Sequence, residues 1–220
     1  MQSAPPKTGQ VRFVILALIT ALYTLSSGDR ATLSVAAPHM ARSMALSPVQ
    51  MGWLFSSFAW AYVIGQVPAG WIADRFGARV SALGALILWS LATFLTALVP
   101  SVGSAFLALL ALRFLLGLFE APTSPAAGRV LAAWFPASER GMAGSIYNSA
   151  QYFSLVLFTP LMGWLDQRFG WQYIFGVMGV LGLVLAVVWA RSYYAPGNHP
   201  RVTPAELHYC LLYTSPSPRD

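Results

Sequence analysis

Long apolar runs dominate this sequence and limit what it can fold into. Six stretches of about 20 residues are each long enough to cross a hydrocarbon layer about 30 Å thick. The chain is 57% hydrophobic and only 9% charged, whereas soluble domains carry about 25% charged residues. The six predicted spans cover residues 11–36, 50–71, 80–99, 104–127, 142–165 and 171–191. The sequence therefore predicts an all-α polytopic membrane protein.

Charged residues interrupt two of these apolar segments. Asp29 and Arg30 lie in the first, and Arg113 and Glu120 lie in the fourth. A charged side chain at the centre of a bilayer costs about 2.5–3.5 kcal/mol on insertion scales, so charges retained there favour a substrate or ion path. If the two helices pack together, the four groups can form two neutral pairs. The alternative is a static salt-bridge network that only locks the helices.

The basic residues predict an orientation in the membrane. With the N-terminus taken as cytoplasmic, the external loops contain only Arg42 and Arg168. The cytoplasmic segments contain Lys7, Arg12, Arg75, Arg79, Arg129, Arg140, Arg191 and Arg201. This asymmetry follows the positive-inside rule and places both ends in the cytoplasm. The net charge of +6 does not indicate nucleic acid as a partner, since no basic stripe interleaved with aromatic residues remains.

The chain divides into four predicted regions. Residues 1–10 form a cytoplasmic tail, 11–191 a six-helix transmembrane domain, and 192–209 the start of a central cytoplasmic loop. Residues 210–220 read CLLYTSPSPRD, which resembles the translation of a transposase sequencing adapter and is interpreted as an artefact. A native disordered tail is the alternative. On the adapter interpretation, the natural chain continues beyond this point.

The segment GWIADRFGAR, residues 70–79, follows the second predicted span and fits the pattern G-x3-D-R-x-G-x-R. In this motif and its position the chain resembles the major facilitator superfamily. The resemblance implies that the segment latches a cytoplasmic gate. The gating residues would be Gly70, Asp74, Arg75, Gly77 and Arg79. A plain positively charged loop is the alternative interpretation.

Four further segments narrow the resemblance. They read GDRATLSVAAP (28–38), RFLLGLFEAP (113–122), AAWFPASERG (132–141) and IYNSAQYF (146–153). They resemble the anion:cation symporter branch, and within it bacterial proton symporters for sugar acids such as galactonate, glucarate and galactarate. The resemblance implies the six-helix N-terminal half of a twelve-helix fold, built from two inverted three-helix repeats. It also implies import of a sugar acid with protons by alternating access, across the bacterial inner (plasma) membrane.

The resemblance assigns roles to the intramembrane charges. Arg30 would bind the substrate carboxylate, and a guanidinium fork suits that group. Asp29 and Glu120 would couple transport to protons, with Arg113 as the partner that tunes them.

Polar residues of the second and fifth helices complete the predicted site. Tyr62 and Gln151 match sugar-acid contacts by resemblance, and Asn148 is a further candidate that could equally serve helix packing. The galactonate carrier has a tyrosine two residues before the aspartate, where this chain has Ser27. Dicarboxylic hexarates are therefore at least as good candidates as galactonate.

Other classes of function find less support in the sequence. No metal site or cofactor is predicted, because His39, His199 and His208 lie outside the spans without metal-ligand spacing. The proton gradient would drive transport, and the expected partners are a small organic anion, protons, membrane lipid and a C-terminal six-helix half. A drug/proton antiporter would carry a glycine- and proline-rich fifth helix, which is absent here. An intramembrane enzyme, the third alternative, would need a nucleophile and a base at membrane depth.

Overall fold

The computed structural model describes residues 10–101 and 105–212. Their secondary structure is helical throughout, with no strand in these two ranges, which confirms the predicted all-α class. The helices are α1 (Val11–Ser43), α2 (Pro48–Thr96), α3 (Ala105–Glu120), α4 (Thr123–Trp134), α5 (Ala137–Phe169), α6 (Trp171–Ser192) and α7 (Pro204–Leu212). Residues 1–9 of the predicted tail and 213–220 of the predicted artefact lie outside the described ranges, and the adapter interpretation stays a prediction.

Helix α2 contains the second and third predicted spans. Its N-terminus is capped by Ser47 and Gln50. The Gln50 backbone N–H donates to Ser47 Oγ at 3.2 Å, and the Ser47 backbone N–H donates to Gln50 Oε1 at 2.8 Å. This capping box satisfies two donors that have no partner within the helix. The backbone leaves helical geometry only at Gly77, with φ of 76° and ψ of 166°, and Ser81 Oγ then donates to the Ile72 carbonyl. The chain thus folds back at one residue, where the sequence predicted a loop of several.

The predicted fourth span is divided at a proline. Helix α3 ends at Glu120, and α4 begins at Thr123, immediately after Pro122. Pro38, by contrast, lies inside α1 without ending it. A proline therefore coincides with a helix break in the fourth predicted span but not in the first, where the helix continues to Ser43.

Within residues 10–101 and 105–212, four helical stretches are long and apolar enough to cross a membrane: residues 11–43, 48–96, 105–134 and 171–192. The second of these includes the reversal at Gly77 and so contains two predicted spans. Helix α5 has 33 residues, a length of about 50 Å. It is long enough to cross a membrane, but it is too polar to be counted among these four apolar stretches. Its polar residues include Glu139, Asn148 and Gln151, so the fifth span is a helix in the fold without being an apolar one.

Close helix contacts position the site. A Cβ at Gly117 of α3 would lie 2.5 Å from the Phe58 carbonyl of α2, and one at Gly28 of α1 would lie 2.4 Å from the ring of Phe158. Both glycines therefore permit helix approaches that a larger residue would block. The result is a bundle in which α1 contacts α3, α5 and α6.

Candidate functional site

A buried ion pair joins α1 to the end of α3. Arg30 Nε donates to Glu120 Oε1 at 2.8 Å, and the side chain of Glu120 is 1% exposed while that of Arg30 is 34% exposed. Ser26, one turn before Arg30, donates to the same carboxylate oxygen. The i, i+4 spacing places Ser26 and Arg30 on one face of α1. The second oxygen, Glu120 Oε2, has no hydrogen-bond partner in the described part of the chain.

Asp29 points to a different neighbour. Its Oδ2 accepts a hydrogen bond of 2.8 Å from Thr93 Oγ1 of α2, and the residue is 1% exposed. Its Oδ1 has no hydrogen-bond partner among the described residues. Adjacent residues of a helix point about 100° apart, so Asp29 and Arg30 cannot both face α3.

Arg113 of α3 is buried against α1 and α6. Its Nη2 donates to Thr32 Oγ1 at 3.3 Å, and its guanidinium lies 5.5 Å from the Phe175 ring centroid. The expectation of two neutral pairs is wrong in its detail, since among the described residues the cluster contains one direct ion pair, Arg30–Glu120. Arg113 instead acts on Asp29 and Glu120 through its charge, without direct contact.

An aromatic pair lies beside Arg30. Its guanidinium is 4.8 Å from the Tyr62 ring centroid and 5.9 Å from that of Phe58. The rings of Phe58 and Tyr62 are stacked at 5.9 Å. A cation over an aromatic face is held by the ring quadrupole, so Tyr62, selected from the sequence, does adjoin Arg30.

A pocket of about 290 Å³ opens between α1 and α5 next to Arg30. Gln151 lines it together with Arg30, and Gln151 Oε1 accepts a hydrogen bond of 3.1 Å from Tyr23. The ring of Tyr23 stacks on Tyr147 at 4.6 Å. Asn148 is exposed on the same helix and does not line this pocket. The structure therefore brings Arg30, Tyr62 and Gln151 together but leaves Asn148 outside.

The predicted gating segment is centred on Gly77. A positive φ of 76° with an extended ψ is a conformation that only glycine adopts readily. Gly70, in contrast, lies in regular helix with open space around it. Asp74 forms an ion pair with Arg129 of α4, and both side chains are exposed. Arg79 donates to the Ala190 carbonyl of α6 at 2.7 Å, and Arg75 lies over the ring of Trp71 at 5.4 Å.

Sequence reasoning missed several partners of these residues. Ser26 could have been found from its i, i+4 spacing to Arg30. The hydroxyl of Thr93, the phenol of Tyr23 and the guanidinium of Arg129 carried no comparable signal, because their contacts lie 55 to 128 residues away in sequence. No cluster of three or more potential metal ligands occurs within residues 10–101 and 105–212.

Comparisons with known proteins identify the family of this chain. Residues 19–209 match the family model described as Major Facilitator Superfamily. Probable galactarate/D-glucarate transporters are 47% identical over 92% of this chain in Bacillus subtilis and 46% identical over 94% in Escherichia coli K12. A D-galactonate transporter of Escherichia coli is 35% identical over 92% of it. This chain spans 45–46% of the length of these relatives.

Solved structures show the same fold. A bacterial homolog of the human lysosomal transporter Spinster, inward-facing and unoccupied, aligns with a TM-score of 0.75 and 24% identity over 88% of this chain and 44% of its own. The proton:xylose symporter XylE of Escherichia coli, in an inward-open conformation, aligns with a TM-score of 0.74 and 20% identity over 84% of this chain and 49% of its own. With the family model covering most of the described residues, this membrane protein belongs to the Major Facilitator Superfamily.

Proposed function

We propose that this chain forms the N-terminal half of a proton-coupled secondary active transporter that imports a sugar acid, a hexonate or a hexarate, by alternating access. The observation that carries the proposal is the pocket beside Arg30, whose guanidinium also pairs with the buried Glu120. An anion that enters this pocket can bind Arg30, which is already paired with Glu120, the side chain proposed to carry the proton. Relatives named as galactarate/D-glucarate transporters support the sugar-acid class.

Recognition of the substrate rests on Arg30, with Tyr62 and Gln151 beside it. The guanidinium presents several donors in one plane, which matches a carboxylate. The side chain of Arg30 is one-third exposed, so an anion can reach it from the pocket. The amide of Gln151 can exchange its contact with Tyr23 for a substrate hydroxyl, and Asn148 stays a candidate contact from the adjoining surface of α5.

Coupling to protons rests on Glu120, Asp29 and Arg113. A substrate carboxylate competes with Glu120 for Arg30, because both are anions that accept from the same guanidinium. When Arg30 turns to the substrate, Glu120 is left buried with a reduced counter-charge, and protonation removes that unfavourable charge. Asp29 is a second buried carboxylate with an unpartnered oxygen among the described residues, and Arg113 supplies positive charge to both acids.

The gate on the cytoplasmic side is assigned to Gly70, Asp74, Arg75, Gly77 and Arg79. The ion pair of Asp74 with Arg129 links the α2 turn to α4, and Arg79 links it to α6. These contacts tie separate helices together at one end of the bundle. The Asp74–Arg129 pair is exposed, so it can break and re-form as the gate opens.

The remaining parts of the proposal concern the whole protein. A second six-helix half completes the cavity, and the six spans predicted from the sequence form two inverted three-helix repeats. The protein lies in the bacterial inner membrane with its N-terminus in the cytoplasm, following the positive-inside rule. It uses the proton gradient in place of a cofactor and leaves its substrate chemically unchanged.

The decisive experiment is uptake into proteoliposomes that contain the full-length protein. Radiolabelled glucarate, galactarate and galactonate are supplied outside, with and without an inward proton gradient. Accumulation of at least one sugar acid that depends on the gradient supports the proposal. Uptake that does not depend on the proton gradient would contradict proton coupling. If none of the three acids is taken up, the proposed substrate class is wrong. Protein-free liposomes report passive leak.

A further inference from the structure

A groove runs along α1 on the side opposite the α1–α3 ion pair. At the end of the bundle that carries the N-terminus, a cavity of about 220 Å³ is lined by Val14 of α1 and Arg191 of α6. Above it, a cavity of about 590 Å³ is lined by Ala17 and Ala21 of α1 and by Val188 of α6. Three residues, about 4.5 Å of helix, separate Val14 from Ala17 and Val188 from Arg191. The two cavities therefore lie next to each other along α1 and α6, and they are called the upper and lower sections of this groove.

The lower section is basic. Arg191 and Arg201 line it with Tyr194 and His199, and its lining contains no carboxylate. Within the described ranges, neither guanidinium takes part in a hydrogen bond or an ion pair. His199 Nδ1 accepts the Arg201 backbone N–H at 3.2 Å, and the ring also hydrogen-bonds to the backbone of Ser192. Burial lowers the pKa of His199. The lower section is thus a basic cavity, lined by two arginines and by no carboxylate.

The upper section is apolar. Apart from Thr20 and Thr24, its lining side chains are hydrocarbon, and Thr24 Oγ1 already donates to the Thr20 carbonyl at 2.8 Å. Val184 and Val188 of α6 are 55% and 43% exposed. The floor is formed by α1, and the walls by α5 and α6. Such a channel suits a flexible hydrocarbon chain.

We propose that this groove binds an anionic phospholipid of the cytoplasmic leaflet, with its phosphate against Arg191 and Arg201 and an acyl chain along α1 between α5 and α6. A basic cavity next to an apolar channel matches both ends of that molecule, and basic residues next to membrane spans attract anionic headgroups. The inference rests on the proposed function only for the orientation of the helices, since both arginines must face the cytoplasmic leaflet.

The test measures lipid binding directly, on the purified full-length protein. Dioleoyl phosphatidylglycerol and dioleoyl phosphatidylcholine are titrated in detergent, and bound lipid is counted by native mass spectrometry. We expect phosphatidylglycerol to bind preferentially. Replacing both arginines, Arg191→Ala with Arg201→Ala, should weaken its binding about 30-fold, since each basic residue near the headgroup contributes about fivefold. The pair Arg42→Ala with Arg168→Ala removes the same charge from exposed positions at the other end of the helices and should leave binding unchanged.

Two further variants separate the headgroup from the acyl chain. Arg191→Lys with Arg201→Lys retains the charge and should keep most of the affinity, which shows that a loss in the alanine pair is not misfolding. Ala21→Trp fills the apolar channel and should weaken binding of the dioleoyl lipid, whereas Val63→Trp, on an exposed face of α2 away from the groove, should not. Equal binding of the two lipids, unchanged affinity in the alanine pair, or equal losses in both arginine pairs would overturn the proposal.

Inorganic phosphate distinguishes a lipid site from a site for a free anion. Phosphate at millimolar concentration should displace little phosphatidylglycerol, because it has no acyl chain to occupy the upper section. The lipid assignment would be contradicted if phosphate displaces phosphatidylglycerol efficiently and the Ala21→Trp variant binds the lipid as tightly as the wild type does. Binding is measured without transport, so a protein that fails to move sugar acids can still confirm this site.

Discussion

Arg30 of α1 contacts Glu120 of α3 through an ion pair of 2.8 Å in which the carboxylate is buried and the guanidinium is partly open to a pocket. The two residues therefore connect the pocket beside Arg30 with a carboxylate that is almost fully buried. Breaking a buried pair by removing one partner is costly, because the other charge is left uncompensated. Substrate binding and protonation are linked through this one contact in the proposed mechanism.

Glu120→Gln tests the proton-carrying role. The amide keeps the size of the side chain but cannot take up and release a proton. We expect proton-driven uptake to fall to below about a tenth of the wild-type rate, while exchange of external for internal substrate continues. The measurement is gradient-driven uptake and counterflow in the same proteoliposomes. The matched control is Glu139→Gln, because Glu139 forms an ion pair with Arg12 near the start of α5. If the Glu120 variant loses both gradient-driven uptake and counterflow, or loses neither, Glu120 does not have the coupling role.

Arg30→Lys tests substrate recognition. Lysine preserves the charge but replaces a planar fork of donors by a single ammonium. Hydrogen bonds to charged groups contribute about 1.5–3 kcal/mol, so the affinity for a sugar acid should fall about tenfold to hundredfold. Equilibrium binding by isothermal titration calorimetry measures the change. Arg42→Lys, at an exposed position near the end of α1, should bind as the wild type does, and an unchanged Kd for the Arg30 variant would exclude Arg30 from the site.

Gly77→Ala tests the turn inside α2. The observed φ of 76° with ψ of 166° lies in a region that alanine rarely adopts, at a strain of about 1–3 kcal/mol. We expect the free energy of unfolding to fall by that amount. Gly84→Ala, in regular helix with no atom within 4 Å of the added Cβ, should be neutral or slightly stabilising. Denaturant titration of both proteins in detergent gives the comparison, and equal stability of the two variants would show that the turn relaxes without strain.

Arg129→Ala tests the gate through the partner of Asp74. Both side chains are exposed, so the pair contributes less than about 1 kcal/mol to stability. The transport rate should nevertheless fall, because in the proposed gate this pair links the α2 turn to α4, and substrate affinity should stay the same. Rate and Kd are measured separately, with Arg168→Ala as the control. A pure affinity defect would speak against a gating contact.

The helical membrane class could be predicted because it depends on local composition. Apolar runs of spanning length and the charges within them were visible without knowing any contact. The fifth span shows the limit of that argument, since α5 is a long helix whose polar residues keep it below the apolar criterion. One of these polar side chains, Gln151, lines the pocket beside Arg30.

The sequence by itself determined that Asp29, Arg30, Arg113 and Glu120 lie on helices of a membrane bundle, and that Arg113 and Glu120 share a face of one helix. Only the tertiary structure decided their partners: Arg30 pairs with Glu120, whereas Asp29 bonds to Thr93 and Arg113 to Thr32. The physical reason is that spacing along a helix fixes direction around its axis, while contacts also depend on how far neighbouring helices slide and rotate against one another. That register is set by close approaches such as Gly117 against Phe58, which no local pattern encodes.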